Sequence, residues 1–405
     1  MDTANTHKPK TLYTFGLMPC PPEIGAHHRI LNIGRQLKKY SELTAVYVGP
    51  ACDPQRILET EKELGPVQIL ATRPFNASHW PGSALYKLAY HWPWFYGHRI
   101  GREDRRTFEE LAGRHDLLWF HTLTTADAVG RFRRENAIAD LDDINQIKHQ
   151  QMGRASTSYR QKIASALLAK KWRRREEKAK DRFARLMVCS EEDRPLVGRP
   201  GQTVVIPNGF NPPDTEPIRQ EKNEKILGFL GFIGYTPNRQ GLEWFAQSVW
   251  PKVLEREPAA KLRAMGRCPD PERFARYPRM EMLGFVENTA LEMARWCGMI
   301  VPLHFGGGTR LKILDAFSKK CPVISTRVGA HGLKVSHQKN ILLADEPEDF
   351  ADQCIRLLQN PSAGQPIAEE AWKLFLAEYT WDRIGEKIEI VLNDIISGKN
   401  QTSVP

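Results

Sequence analysis

Gly306, Gly307 and Gly308 run straight into Thr309, Arg310, Leu311 and Lys312, and Asp315 follows three residues after the lysine. Residues of these types in this order can hold a phosphorylated sugar. Leu311, Leu314, Ala316 and Phe317 recur at helical spacing, so the glycines form a loop that opens a helix, with Thr309 as its N-cap. The first amides of a helix lack intrahelical partners and the dipole adds positive potential, while glycine lets an anion approach the backbone. Arg310 and Lys312 add full charges at that end. Asp315, on the lysine's face one turn on, can accept hydrogen bonds from sugar hydroxyls. Cys321 and Pro322 then stop the helix, Val323, Ile324 and Ser325 read as a buried parallel strand, and a second glycine turn spans Gly329 to Gly332. Ligands of open α/β sheets sit at such strand ends. Taken singly, a triple glycine is a connector and a Lys-x-x-Asp pair a solvated helix face; the ordered combination points to phosphate and sugar.

The elements that must position these residues alternate. Thr11–Gly16 reads as a first strand, followed by a loop to Ala26 and a helix whose apolar face is Ile30, Ile33 and Leu37. The opening lacks G-x-G-x-x-G, which disfavours a dinucleotide. Further strands are expected at Leu43–Val48, Val67–Ala71, Leu117–Phe120, Ala137–Leu141, Leu186–Cys189 and Val204–Ile206, then at Lys225–Leu230, Leu262–Met265, Met280–Leu283 and Met299–Leu303. Helices between them imply parallel sheets covered on both faces, that is, an α/β protein with two doubly wound Rossmann-like domains. His121 closes one strand, and Asp142 and Asp143 close another, which makes them polar candidates at strand ends; a helix N-cap explains one of the two acids, and no metal site is expected.

With 405 residues the chain exceeds one typical core. We expect an N-terminal domain over 1–210, a polar, proline-rich linker over 211–224, a C-terminal domain over 225–380, a helix over 381–397 and a tail from 398. Seven scattered cysteines without a C-x-x-C pair argue against a disulfide framework or zinc, and neither a signal sequence nor a spanning run is visible, so a cytoplasmic protein is expected. No cofactor is implied.

The net charge of +10 is concentrated between Gln151 and Arg185, where twelve Lys or Arg stand against three acids. The stretch from Asp143 to Arg185 reads as helical throughout, with Gly153 as its one breaker. Its apolar stripe of Ile163, Leu167, Leu168 and Trp172 is expected to pack against the first domain, leaving the basic faces to a solvated role or to reversible, salt-sensitive attraction to an anionic membrane on its inner face. Nucleic acid is disfavoured, because no recognition module accompanies the charge. His79–Tyr96, with three Trp, three Tyr and a Phe, is part core and part candidate for a lipid headgroup boundary.

Gly307, Gly308, Arg310, Lys312, Asp315, Ala316, Pro322, Val323, Ile324 and Thr326 together resemble the C-terminal domain of GT-B fold glycosyltransferases of retaining family 4, nearest the bacterial exopolysaccharide-type sugar transferases. The resemblance is specific over Lys225–Val391. It implies two domains facing a cleft, a final helix crossing back to the first domain, and transfer from a nucleoside diphosphate sugar to a carbohydrate or lipid-linked acceptor without a metal. It also implies roles. Arg310 and Lys312 take up diphosphate charge, with the Gly307–Thr309 amides; Asp315 holds the ribose, Gly284, Phe285 and Val286 back the base, and Arg239 is the available basic residue after the first strand of that domain. His121 stands near the reacting sugar, and Gly25, His27, His28 and Arg29 form the cleft-facing loop with Asp142. Two departures stand out: of the family's two glutamates, which have seven residues between them, the second is Asp315 and the first is Gly307, and of the basic pair after the first strand of that domain only Arg239 is present. A non-catalytic polyanion- or membrane-binding protein and a sugar-nucleotide epimerase therefore remain alternatives at this level.

Overall fold

A computed structural model of the chain describes residues 8–74, 98–130, 134–156, 158–217, 224–306 and 310–398. The aromatic stretch His79–Tyr96 and the three residues Gly307, Gly308 and Thr309 lie outside them. The chain divides into two compact units, one joining the chain up to Asn208 with the segment from Trp381, the other spanning Gly209–Thr380.

In the first unit β1 (Lys10–Phe15), β2 (Glu42–Gly49), β3 (Val67–Pro74), β4 (His98–Ile100), β5 (Leu117–His121), β6 (Arg134–Asp140), β7 (Phe183–Val188) and β8 (Thr203–Val205) form one sheet in the order β4-β3-β2-β1-β5-β6-β7-β8. Every pairing is parallel except β3 with β4. The second unit holds β9 (Ile226–Leu230), β10 (Lys261–Met265), β11 (Met280–Gly284), β12 (Gly298–Val301), β13 (Val323–Ser325) and β14 (Leu342–Leu343), all parallel, in the order β11-β10-β9-β12-β13-β14. The helices are α1 (Gly25–Tyr40), α2 (Pro54–Leu64), α3 (Arg102–Gly113), α4 (Leu123–Val129), α5 (Asn145–Ala155), α6 (Tyr159–Ala179), α7 (Thr236–Trp244), α8 (Trp250–Arg256), α9 (Glu272–Ala275), α10 (Thr289–Ala294), α11 (Leu311–Ser318), α12 (Pro347–Gln359), α13 (Gln365–Glu378) and α14 (Trp381–Ile396). Among the described residues none is long and apolar enough to cross a membrane.

Side-chain alternation explains why both faces of each sheet are covered. On β1 and β5, Tyr13, Phe15, Leu117 and Trp119 enter one core with Ile30, Ile33 and Leu37 of α1 and with Trp381, Ile384 and Ile388 of α14. Leu12, Leu118 and Phe120 enter the other, with Phe108 and Ala126. The second sheet divides likewise, Leu227, Phe229, Leu262 and Ile324 to one side and Ile226, Met265, Val301 and Val323 to the other.

The basic region departs from the expected single helix. One helix ends at Ala155 and a second runs over Tyr159–Ala179, so Phe183–Val188 is strand where the sequence predicts helix to Arg185. Gly153 is no breaker: it lies inside α5, where a Cβ would stand 3.1 Å from Cβ of Ser165, and its small size lets α5 and α6 pack closely. No Asp caps α5 either. Its N-cap is Ile144, and the Gln146 amide donates to a carboxylate oxygen of Glu176 on α6, 3.3 Å away. The largest correction concerns the apolar stripe. Leu168 and Trp172 are half-buried, but Ile163 and Leu167 are each 46% exposed, because α6 turns its packed side, with Ser165, Ala169 and Ala179, toward the domain.

Candidate active site

Open parallel sheets place ligands outside the carboxyl ends of the strands where the strand order reverses. In the second unit that point lies between β9 and β12. β9 is followed directly by Gly231, with φ +148°, and β10 by Gly266, with φ +120°. Both positions favour glycine by their positive φ, and Gly266 also by the backbone packed against it. A Cβ at Gly231 would stand 2.8 Å from Lys312 Nζ, and one at Gly266 would stand 2.3 Å from the Gly231 carbonyl. The Gly231 amide donates to Met265 and the Gly266 amide to Gly284, which links three successive strand ends.

β12 delivers the chain to Gly306, and α11 begins at Leu311 with Arg310 at its N-cap and no side-chain cap bond. The N-cap position thus falls on Arg310 rather than on the expected Thr309, which lies outside the described residues. Arg310 is buried and donates through Nη2 to the Gly306 carbonyl at 2.7 Å. Lys312 is half-buried rather than exposed; its Nζ donates to Asn238 Oδ1 at 2.7 Å and stands 4.6 Å from the Phe229 ring centre. Asn238 is fixed in turn by its donation to the Phe232 carbonyl at 2.8 Å. Burial, and then the charge of Arg310, push the Lys312 amino group down to about 7. Two cations are thus crowded at one helix start, where a bound anion would relieve the repulsion and restore the full charge.

Asp315 is buried and forms an ion pair with Lys319 one turn on, and Lys319 also donates to Thr289 Oγ1 at 3.1 Å. The carboxylate is therefore oriented by Lys319, whose spacing of four from Asp315 on the helix is the sequence signal for the pair. Gly284 takes φ +66°, Phe285 is 88% exposed beside it, and Val286 packs into the core. Arg239 lies on α7 next to Asn238, and Asn238, not Arg239, meets Lys312. Gly307 and Gly308 lie outside the described residues.

In the first unit the strand order reverses between β1 and β5. Here Arg29 of α1, wholly buried, grips both oxygens of Asp140 with Nε at 2.9 and 3.1 Å and Nη2 at 2.7 Å. Its Nη1 reaches the Ile206 carbonyl at 3.1 Å and Asn208 Oδ1 at 3.0 Å. Burial alone would raise the Asp140 carboxyl, but Arg29 and His121 hold it well below the usual carboxylate range. His121, 2% exposed, sets Nδ1 3.6 Å from Asp140 Oδ2. Asp142 adopts φ +52°, lies 3.8 Å from Arg29 Nε, and is raised by burial against the pull of that guanidinium. His121 and Asp142 thus stand together beside the fixed Arg29–Asp140 ion pair. His27 is used differently, since Nδ1 accepts from the Glu23 amide at 3.2 Å and closes the turn before α1. Gly25 starts α1, and the His28 carbonyl accepts from Asn32 at 2.8 Å.

Sequence reasoning misses Asp140, Asn238, Gly266 and Lys319. A signal exists for the glycine: LGFL, LRAM and MEML each run directly into Gly231, Gly266 and Gly284.

Residues 224–360 match the family model described as "Glycosyl transferases group 1". A Klebsiella pneumoniae protein described as an uncharacterized 44.6 kDa protein in the cps region is 24% identical over 193 residues, covering 44% of this chain. The match spans about half of that protein's length, 49%. Among solved structures, Anabaena Alr3699/HepE in complex with UDP and glucose is 16% identical with a TM-score of 0.63, over 95% of this chain and 100% of that one. Sucrose-phosphate synthase from Thermosynechococcus elongatus gives 16% and 0.69 over 97% and 100%. TarM gives 11% and 0.69 over 96% and 99%. The chain has the fold of these GT-B structures, two Rossmann-like sheets of parallel strands, and its residues 224–360 form a domain of the glycosyl transferases group 1 family.

Proposed function

We propose that the protein moves a hexosyl group from a nucleoside diphosphate sugar to an acceptor hydroxyl, with retention of configuration and with its own cations, in place of a metal, meeting the charge on the departing diphosphate. The observation that carries this reading is the pairing of two cations inside the stretch that matches the transferase family, Lys312 beside Gly231 at the carboxyl end of β9 and Arg310 beside Gly306, close enough for the charge of Arg310 to act on Lys312. Charge develops on the diphosphate as the bond to the sugar breaks, so donors fixed beforehand at that position lower the barrier. Asp315, held by Lys319, binds the ribose, and Gly284, Phe285 and Val286 bind the base. Gly307, Gly308 and Thr309 add amides, and Arg239 stands in reserve on α7.

His121 and Asp142 serve the sugar or acceptor side, with Gly25, His27 and His28 shaping the loop beside them. A uridine donor is favoured, because Anabaena HepE is described in complexes with UDP and with UDP-glucose. A carbohydrate or lipid-linked acceptor in polysaccharide assembly is favoured by the relative in a cps region. A reducing, cytoplasmic setting suits seven cysteines that are all free. The test is consumption of UDP- and GDP-sugars with release of the nucleoside diphosphate, followed by the anomeric configuration of the product. Consumption of neither donor class, with any acceptor carbohydrate, would contradict the proposal.

A further inference from the structure

α6 presents one continuous exposed row with a change of character halfway along it. Tyr159, Ile163 and Leu167, spaced by four, are 77%, 46% and 46% exposed. Lys170, Arg174 and Lys178, again spaced by four and all exposed, continue the row. Residues spaced by three and four share a helix face, so an apolar strip about 12 Å long leads into a basic strip of similar length. The packed side of the helix is separate, with Trp172 turned inward under the guanidinium of Arg175 at 4.1 Å. Apolar side chains in a row beside cations are the pattern of a helix lying in the plane of a bilayer interface, where the apolar groups enter the acyl boundary and the cations meet anionic head groups.

Lys178 belongs to a second feature as well. It stands on the rim of a cavity of about 790 Å³ bounded by β4, α3, α4 and the end of α6. Five cations line the cavity, Arg99, Arg105, Arg175, Lys178 and Arg182, against the two acids Asp127 and Asp181. Arg175 and Arg182 both grip buried Asp127, which fixes their guanidinium planes at the wall. The volume lies in the range of small-molecule sites, and planar guanidinium groups suit phosphate oxygens. The apolar row, the basic row and the cavity are thus joined through one residue.

We propose that α6 docks on an anionic bilayer and that the cavity beside Lys178 receives a phosphate-bearing lipid head group. The assignment is independent of the transfer reaction. It reverses what the sequence suggests for Ile163 and Leu167: part of the attachment should survive salt, because apolar burial is not screened as exposed charge is.

The test is sedimentation of the full chain with vesicles of phosphatidylcholine alone, and with matched charge from phosphatidic acid or from phosphatidylserine, at low and high salt. The expected order is phosphatidic acid above phosphatidylserine above neutral, with a reduced but persistent bound fraction at high salt. Ile163→Asp with Leu167→Asp should abolish the persistent fraction and leave most low-salt binding. Lys178→Glu with Arg105→Glu, both exposed, should remove the preference for phosphatidic acid and weaken low-salt binding by at least about fivefold for each charge removed. Thermal melts of these variants, which spare Arg175 and Arg182, control for folding. Equal binding to the two anionic lipids would overturn the head-group site, and complete release by salt would overturn the apolar docking. Absence of vesicle binding together with saturable binding of glycerol phosphate would make the cavity a site for a free phosphorylated molecule and overturn the lipid assignment.

Discussion

Lys312 donates to the side-chain oxygen of Asn238 across 2.7 Å, so this half-buried cation of the second unit's switch point rests on an amide and, among the described residues, on no carboxylate. A lysine held this way is costly to charge and available to an anion. Lys312→Ala is therefore expected to lower turnover by about 10²- to 10³-fold, the usual loss for one fixed donor to developing charge. Lys312→Met should do the same while raising the melting temperature at neutral pH, since it removes a charge that burial disfavours. Turnover and thermal melts on the same preparations check both. Near-normal turnover in either variant would remove Lys312 from the reaction.

The pH dependence follows from the same residue. With the amino group pushed down to about 7, the unliganded protein holds less charge there as pH rises through 7, whereas a diphosphate favours the protonated form. Nucleoside diphosphate affinity should fall from about pH 7 upward, and binding at pH 8 should take up a proton. Calorimetry in buffers of different ionisation enthalpy measures that uptake, which Lys312→Met should abolish. Unchanged proton uptake in that variant would assign it to another group.

Asp315 and Lys319 form one unit through their ion pair. Asp315→Asn should raise the donor's KM more than it lowers kcat, the mark of an interaction made equally in ground and transition states. Lys319→Met should shift KM in the same direction, because the carboxylate loses the group that orients it. Steady-state kinetics with varied donor would show an unchanged KM in both variants if the acid is only a structural partner.

In the first unit, Arg29→Met leaves Asp140 buried without its main partner and should cost about 3–5 kcal/mol. The sign of the pH dependence should also change. In the wild type the depressed Asp140 carboxyl contributes stability that is present above about pH 4 and is lost as pH falls below it. In Arg29→Met the unpaired carboxyl prefers its proton, so the variant should gain stability as pH falls from 7 toward 5. Urea unfolding at several pH values checks the slope.

Much of this architecture is legible in the amino-acid sequence. Val323–Ser325 and Trp381–Ile396 fall where a buried apolar run and an amphipathic period put them, because those patterns are local. The features that are not legible depend on tertiary partners. Arg29 sits among basic and apolar residues of a helix start, and only the fold brings Asp140, 111 positions away, against it. Lys312 reads as solvated because Asn238 and Phe229 reach it from another strand and helix. Ile163 and Leu167 read as buried because apolar spacing gives a face without saying what covers it.

The central claim is that the second unit binds a nucleoside diphosphate through Lys312 and Arg310. Its most direct test is titration of UDP, and of GDP in parallel, into the full chain and into Lys312→Ala, read by calorimetry and by the rise in melting temperature that a ligand specific to the folded state produces. The account predicts that the wild type binds UDP in preference to GDP, and that Lys312→Ala remains folded but binds at least about tenfold more weakly, the loss of one charge-assisted contact. Absence of binding by either nucleotide, or equal binding by wild type and variant, would contradict it.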